Sequence, residues 1–169
     1  AAPATTTAPT TTAAPATTTA PPATEGETLG EQNARNSAAS YLSSSAFSRS
    51  GLIGQLEYTG FTTAQAEYGT DAQGADWNQQ ATLKGTSYLS SSAFSRSGLI
   101  GQLEYSGFTS AEAEYGTDAQ GADWNQQAAL KAASYLESSS FSRSELISQL
   151  EYTGFTTAQA EYGVTAVGY

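Results

Sequence analysis

A 47-residue repeat is the feature that most constrains this chain. Tyr41, Tyr88 and Tyr135 stand 47 positions apart, and residues 41–87 differ from residues 88–134 at only six positions. A third, more divergent copy begins at Tyr135. Tandem units of this size present the same surface several times, which is typical of a binding array and unusual for an enzyme with one pocket.

Composition disfavours or excludes several classes of function. Six Lys and Arg face sixteen Asp and Glu, so the formal charge is −10, and phosphate backbones and anionic membranes repel such a chain. The absence of Cys and His removes thiolate nucleophiles, imidazole bases and the usual zinc ligands. We therefore expect no catalytic residue, no cofactor and no metal. The missing Met predicts a processed or excised form.

The first 24 residues have a different composition from the rest. They contain all five prolines, ten threonines and no charged residue. Proline disfavours helix, and a segment without large apolar side chains cannot offset the entropy of ordering. We expect residues 1–27 to be a disordered Thr/Pro/Ala-rich stalk that crosses a cell envelope, with an ordinary interdomain linker as the alternative.

Capping signals predict three short helices in each repeat. The expected N-caps are Thr28, Asp76 and Asp123 for the first helices, Ser48, Ser95 and Ser142 for the second, and Thr62, Thr109 and Thr156 for the third. The first and third sets read as capping boxes. Gly60 lies where a left-handed C-cap is needed, and Phe61 is placed for the contact of a Schellman ending.

The predicted fold is all-α, with three tandem helix-turn-helix repeats at residues 28–74, 75–121 and 122–169. We expect Leu52, Ile53 and Leu56 to form the buried stripe of the second helix. The joints between repeats contain Gly and are short enough for neighbours to touch. They contain no rigid feature that would fix the angle.

Two sets of repeated side chains are expected to have structural roles. Trp77 and Trp124 should pack in the core or between repeats. Arg49 and its equivalents begin the second helices, where a cation opposes the helix dipole. A salt bridge to a carboxylate such as Glu57 would compensate, and contact with an acidic partner is the alternative.

Acidic residues of the third helices are the candidate partner-binding positions. They are Glu67, Asp71, Glu112, Glu114, Asp118 and Glu161. Residues four apart share a helix face. The plain interpretation is a solvated face, the second is protein binding, and catalysis or Ca²⁺ binding comes last because the EF-hand ligand spacing is absent.

Three tyrosines that follow glutamates allow two interpretations. Tyr58, Tyr105 and Tyr152 stand at equivalent positions. They could be amphipathic contacts on a binding face, where tyrosine buries much area at low entropy cost. The pattern favours half-buried structural residues instead.

Residues 123–156 carry a resemblance to a known family. They begin Asp-Trp-Asn-Gln-Gln-Ala and end Phe-Ser-Arg-Ser-Glu-Leu-Ile-Ser-Gln-Leu-Glu-Tyr-Thr-Gly-Phe-Thr, and this combined pattern resembles the Ltp family of host cell surface-exposed lipoproteins. The resemblance spans Thr28 to about Tyr162 and leaves out the Thr/Pro segment.

The resemblance implies a bacterial or prophage lipoprotein anchored outside the cytoplasmic membrane. Phage-encoded members act in superinfection exclusion: they block injection of phage DNA by binding the tape measure protein, and an acidic helical surface is implicated. Carried over, that role falls on the Glu67/Asp71 and Glu112/Glu114/Asp118 faces. The lipid-bearing Cys is absent here, so anchoring is inferred from the position of the stalk, and the third repeat lacks a counterpart of Asp71.

We therefore expect an extracytoplasmic protein, displayed at the bacterial cell surface or envelope, that acts by binding a protein and not by catalysis. Phage exclusion is the leading hypothesis. A structural or accessory envelope protein that binds another envelope component is the alternative. DNA binding is disfavoured because the expected recognition helix, residues 62–72, contains no Lys or Arg.

Overall fold

The computed structural model describes residues 26–169, so all but the last two residues of the predicted stalk lie outside the described part. That part contains nine α-helices and no strand. They are α1 (Leu29–Ser44), α2 (Arg49–Tyr58), α3 (Thr63–Asp71), α4 (Trp77–Ser91), α5 (Arg96–Tyr105), α6 (Ser110–Asp118), α7 (Trp124–Ser138), α8 (Arg143–Tyr152) and α9 (Thr157–Ala166). The predicted all-α fold of three tandem three-helix repeats is confirmed. The residues at which one repeat passes to the next stay a prediction.

All nine predicted N-cap residues begin a helix. The predicted capping boxes at Asp76 and Asp123 are wrong in one respect. Asp76 Oδ1 accepts from the Gln79 N–H at 3.1 Å, but no bond returns from the Gln79 side chain. Asp76 has ψ 101°, whereas Thr28, which forms a complete box, has ψ 158°. The difference swings the cap N–H away from the third helical residue.

The corner between α2 and α3 is the predicted Schellman ending. Gly60 has φ 100° and donates its N–H to Glu57 O at 2.9 Å, and the Phe61 N–H reaches Leu56 O at 3.2 Å. The other two repeats have the same pair of bonds at their equivalent corners. These two bonds fix the corner, so the third helix begins directly after the second.

Each repeat closes around small residues. A Cβ on Gly69 of α3 would lie 2.6 Å from the carbonyl carbon of Ala34 on α1, so these helices cross in close contact. Leu52 and Leu56 of α2 are fully buried against them. The predicted stripe is confirmed for both leucines, and Ile53 packs at its edge.

The tryptophans link neighbouring repeats. Trp77, the first residue of α4, packs against the core of repeat 1, and Trp124 packs against the core of repeat 2. The predicted inter-repeat role is confirmed. Gly30 stands at the equivalent position of repeat 1, one period before Trp77.

A buried serine also joins each repeat to the next. Ser48 is 1% exposed. It accepts from the Gly51 N–H at 3.0 Å and donates its hydroxyl proton to Ser106 O, at the end of α5, at 2.7 Å. Ser95 makes the equivalent bonds between repeats 2 and 3. One side chain thus satisfies a donor at a helix N-terminus and a carbonyl at a helix C-terminus, where opposite dipole ends meet.

A glycine beside the serine lets the two helix ends approach. A Cβ on Gly51 would lie 3.3 Å from Ser106 O, and the same distance applies to the next junction. A second hydroxyl, that of Ser50, donates to Gly107 O at 2.8 Å. These helix ends, which lie far along the chain from the glycine joints, therefore contribute with the tryptophans to the relative placement of the repeats.

The equivalent serine of repeat 3 has a different environment. Ser142 is exposed, accepts from the Glu145 N–H at 3.3 Å and donates to Glu145 Oε2 at 2.6 Å. Glu145 stands where repeats 1 and 2 have Gly51 and Gly98. The Glu145 carboxylate accepts the hydrogen bond from the Ser142 hydroxyl. In repeats 1 and 2 the equivalent hydroxyl donates to a carbonyl of the next repeat. The Ser142 hydroxyl of repeat 3 is therefore not available to bind a further helix end in the way that Ser48 and Ser95 do.

Ser95, which makes a junction, and Ser142, which does not, form a matched pair for testing the junction. Ser142→Ala removes a cap, worth about 1 kcal/mol. Ser95→Ala removes the same cap and also leaves Thr153 O without its donor, so we expect a further loss of about 1–3 kcal/mol in the free energy of unfolding. Urea denaturation of both variants measures the difference. Equal losses would contradict a stabilising junction.

Candidate partner-binding site

The arginines that begin α2 and α5 are paired with aspartates at the ends of α3 and α6. Arg49 Nε and Nη2 donate to Asp71 Oδ1 and Oδ2, both at 2.7 Å. Arg96 binds Asp118 in the same bidentate manner at 2.7 and 2.8 Å. The tight corner turns the chain back, so the end of the third helix lies beside the start of the second.

The predicted salt bridge of Arg49 to a carboxylate is confirmed, but the partner is Asp71 and not Glu57, which was the example named. Arg49 and Glu57 both lie on α2, eight positions apart, which is about 12 Å along a helix axis. Glu57 Oε1 instead accepts from the Thr63 hydroxyl at the start of α3, at 2.5 Å. Asp71 comes close only through the packing of α3 against α2, which helix periodicity does not show.

The six predicted acidic residues separate into three groups. The first consists of Asp71 and Asp118, whose carboxylates are engaged by arginines within the chain. The second is Glu112, whose Oε2 accepts from the Thr109 N–H at 2.8 Å in a capping box.

The third group is one exposed glutamate per repeat. Glu67, Glu114 and Glu161 are exposed and take part in none of the salt bridges found within residues 26–169. The structure therefore does not bring all six acids into one equivalent face. The Glu67, Glu114 and Glu161 carboxylates are the ones left for solvent or for another molecule.

The three tyrosines at the ends of the middle helices are almost completely exposed. Tyr58, Tyr105 and Tyr152 show 88%, 89% and 87% of their surface. The favoured interpretation of half-buried structural residues is wrong. Tyr58 follows the buried Leu56 by two positions, or about 200° around the helix, and so points away from the core.

Each of these tyrosines follows an exposed glutamate. Glu57, Glu104 and Glu151 are held by hydroxyls of the next helix, from Thr63, Ser110 and Thr157, at 2.5 to 2.6 Å. No arginine or lysine within the described residues forms a salt bridge with them. Every repeat thus displays an aromatic ring next to a carboxylate that has no cationic partner.

Two helix glycines near the tyrosines have no structural explanation in the described part of the chain. A Cβ on Gly54 or Gly101 would meet no atom within 4 Å. Each lies one turn before Tyr58 or Tyr105, on the same face. Glycine inside a helix costs about 0.5–1 kcal/mol relative to alanine. The sequence alone does not distinguish Gly54 and Gly101 from Gly51 and Gly69, because the difference lies in how closely each glycine is packed.

The described residues contain neither a metal-binding cluster nor a membrane-spanning helix. No group of three or more Asp and Glu side chains in residues 26–169 could hold a metal ion. None of the helices in this range is long and apolar enough to cross a membrane.

A family model described as host cell surface-exposed lipoprotein (Ltp) matches residues 30–72, 76–119 and 123–167. These segments cover most of the chain and all three repeats. The chain belongs to the Ltp family. No curated protein and no solved structure matches it. Membership confirms the resemblance seen in the sequence and places this Ltp chain at the cell surface, in a family of lipoproteins and not of known enzymes.

The Arg–Asp pairs of this Ltp chain predict a specific pH dependence. Hydrogen bonds from the Arg49 guanidinium lower the pKa of Asp71 from its ordinary value, and Arg96 lowers the pKa of Asp118. Because these pKa values fall on folding, the pairs stabilise the fold above the unfolded value of about 3.9. That contribution is lost as the pH falls through the folded pKa. The pairs are exposed, so each is worth about 0.2–1 kcal/mol.

Carboxyl NMR titration of the Arg49→Gln/Arg96→Gln variant checks this assignment. The pKa values of both aspartates should rise towards the ordinary value. Arg143→Gln is the matched control, because Arg143 makes none of the salt bridges in the described residues and should leave both titrations unchanged. Aspartates that titrate identically with and without Arg49 and Arg96 would contradict the pairing.

Proposed function

We propose that this chain is a surface-displayed binding protein that excludes superinfecting phage by blocking DNA injection. In this proposal it binds a phage protein, and the tape measure protein is the candidate partner. The observation that supports it best is an exposed glutamate in every repeat, at Glu67, Glu114 and Glu161, that forms no salt bridge within the described residues. The proposed partner-binding residues remain the six acids, with these three as the principal contacts.

The array supports a multivalent interaction. The serine junctions hold neighbouring repeats together, so a long partner can contact several repeats at once. Binding at a second repeat is then intramolecular, which raises the overall affinity without any new type of contact. A partner lying along the array would meet an exposed third-helix glutamate in each of the three repeats.

The chemistry of the chain supports binding over catalysis. The sequence contains no His and no Cys. The buried hydroxyls of Ser48 and Ser95 are used in caps and junctions. A serine nucleophile needs an adjacent base. The third helices carry no Lys or Arg, so a protein partner is favoured over nucleic acid.

The second candidate is an accessory envelope protein that binds another envelope component. The family description favours it to the extent that it names a host cell surface and no phage. Stable recovery of one envelope partner from cells that show no change in phage infection would support this function.

The phage hypothesis is tested by expressing the chain with a lipid anchor in a bacterial host. We expect tailed phages that carry a tape measure protein to adsorb normally while their DNA stays outside, as measured by uptake of labelled phage DNA. Normal DNA uptake for every phage tested would reject the proposal.

The acidic residues offer a matched pair of variants for this assay. The amide variant at Glu67, Glu114 and Glu161 should lose most of the exclusion, because it removes the unpaired carboxylates without changing side-chain size. The amide variant at Asp71 and Asp118 should lose less, because those carboxylates are already bound to arginines. Circular dichroism of both variants should show unchanged helicity. An equal loss in the two variants would count against these roles.

A further inference from the structure

We infer that the exposed Tyr58, Tyr105 and Tyr152, with the glutamate before each, form a docking line for an arginine-bearing polypeptide segment. We call this surface the tyrosine line. The inference rests on the proposed function, because it names the chemistry of the protein partner. It adds a contact at the ends of the middle helices to the contact proposed for the acids of the third helices.

The junctions arrange the tyrosines in a row. The hydroxyl of Ser48 binds Ser106 O, so the end of α5 abuts the start of α2, and α8 abuts α5 in the same way. Tyr105 therefore lies near the start of α2, and Tyr58 lies at its end. A ten-residue helix is about 15 Å long, which sets the step from one tyrosine to the next.

The fold itself does not use these side chains. Tyr41, Tyr88 and Tyr135 pack against phenylalanine rings of their own repeats, whereas the tyrosine line has no ring contact of this kind in the described residues. Large exposed rings that do nothing for the core are favoured where a partner later buries them, because tyrosine loses little entropy on binding.

The helix surface before each tyrosine is bare. Gly54 and Gly101 leave the α2 and α5 backbones uncovered one turn before Tyr58 and Tyr105, with open space beyond. The small Ser148 takes this position in α8, where an open groove is lined by Ser148 and Tyr152. A missing side chain lets a partner backbone approach the helix while the tyrosine ring contacts it from one side.

The charges select the chemistry of the partner. Within the described residues each ring stands beside a carboxylate that forms no salt bridge, and the chain carries a net charge of −10. A guanidinium group stacks on a tyrosine face and donates in its plane to a carboxylate, whereas an ammonium group lacks both the plane and the fork. Arginines about 15 Å apart, or about five residues in an extended segment, match the line.

The binding test uses the whole chain and synthetic peptides. The probe is a Gly/Ser peptide with three arginines separated by about five positions, compared with the same peptide carrying lysines. We expect ring signals of the three tyrosines to shift in NMR titrations, and the arginine peptide to bind about tenfold more tightly than the lysine peptide at low salt. Equal affinities, or shifts confined to the third helices, would overturn the inference.

Two sets of variants separate docking from folding. The triple change to Ser at Tyr58, Tyr105 and Tyr152 should reduce affinity at least about tenfold, while Tyr115→Ser/Tyr162→Ser, at residues 55% and 48% exposed on α6 and α9, should have little effect. Gly54→Gln/Gly101→Gln should raise the melting temperature, because Gln favours helix over Gly, and still weaken binding. Wild-type affinity in the triple variant or in the glycine variant would overturn the inference.

A glycan is the competing occupant, because sugars also stack on tyrosine. Shifts of the tyrosine line with a short cell-wall oligosaccharide and none with the arginine peptide would overturn the inference. The infection assay separates its failure from that of the proposed function. If the wild type excludes phage and the triple tyrosine variant excludes it equally, the tyrosine line fails and the function stands. If the wild type does not exclude phage but the arginine peptide binds at the three tyrosines, the line stands and the phage function fails.

Discussion

A hydrogen-bonding serine at each junction joins one repeat to the next. The buried cluster of repeat 1 consists of two alanines and two leucines, with partly buried aromatic side chains packed against them, and a core of this size orders some 40 residues with little margin. Ser48 and Ser95 cap their own helices and, with the same oxygen, bind the last carbonyl of the next repeat's middle helix. Local helix formation and long-range assembly are therefore coupled at one atom.

Glycines show how the repeats divide their residues between folding and display. Gly69 allows two helices to cross and Gly51 allows two repeats to meet, whereas a Cβ on Gly54 would meet no atom within 4 Å. The third repeat keeps the first kind, at Gly163, and replaces the other two with Glu145 and Ser148. It keeps the fold, its own glutamate and its own tyrosine, but it does not accept another repeat. The surface offered to a partner can thus change while the core stays constant.

The parts of the structure that could be predicted from sequence are those with signals within a few residues. The N-caps and the Gly60 corner are of this kind, because capping and helix termination depend on neighbours at most five positions away. The repeat period is visible for another reason, because equivalent residues recur every 47 positions. The pairing of Arg49 with Asp71 spans 22 positions and the Ser48 bond spans 58. Such contacts depend on how helices pack. The change from Gly51 to Glu145 between copies was the one available signal of the junction.

If the serine junctions fix neighbouring repeats, the three repeats form one rigid array. The chain has no Cys, so spin labels can be placed without background at Ala64→Cys and Ala158→Cys, which are exposed equivalent positions on α3 and α9. Pulsed electron–electron double resonance measures the distance between the two labels. A single narrow distance distribution is the predicted result. A broad distribution, as expected for repeats that move independently on their glycine joints, would show that the serine junctions do not fix the repeats.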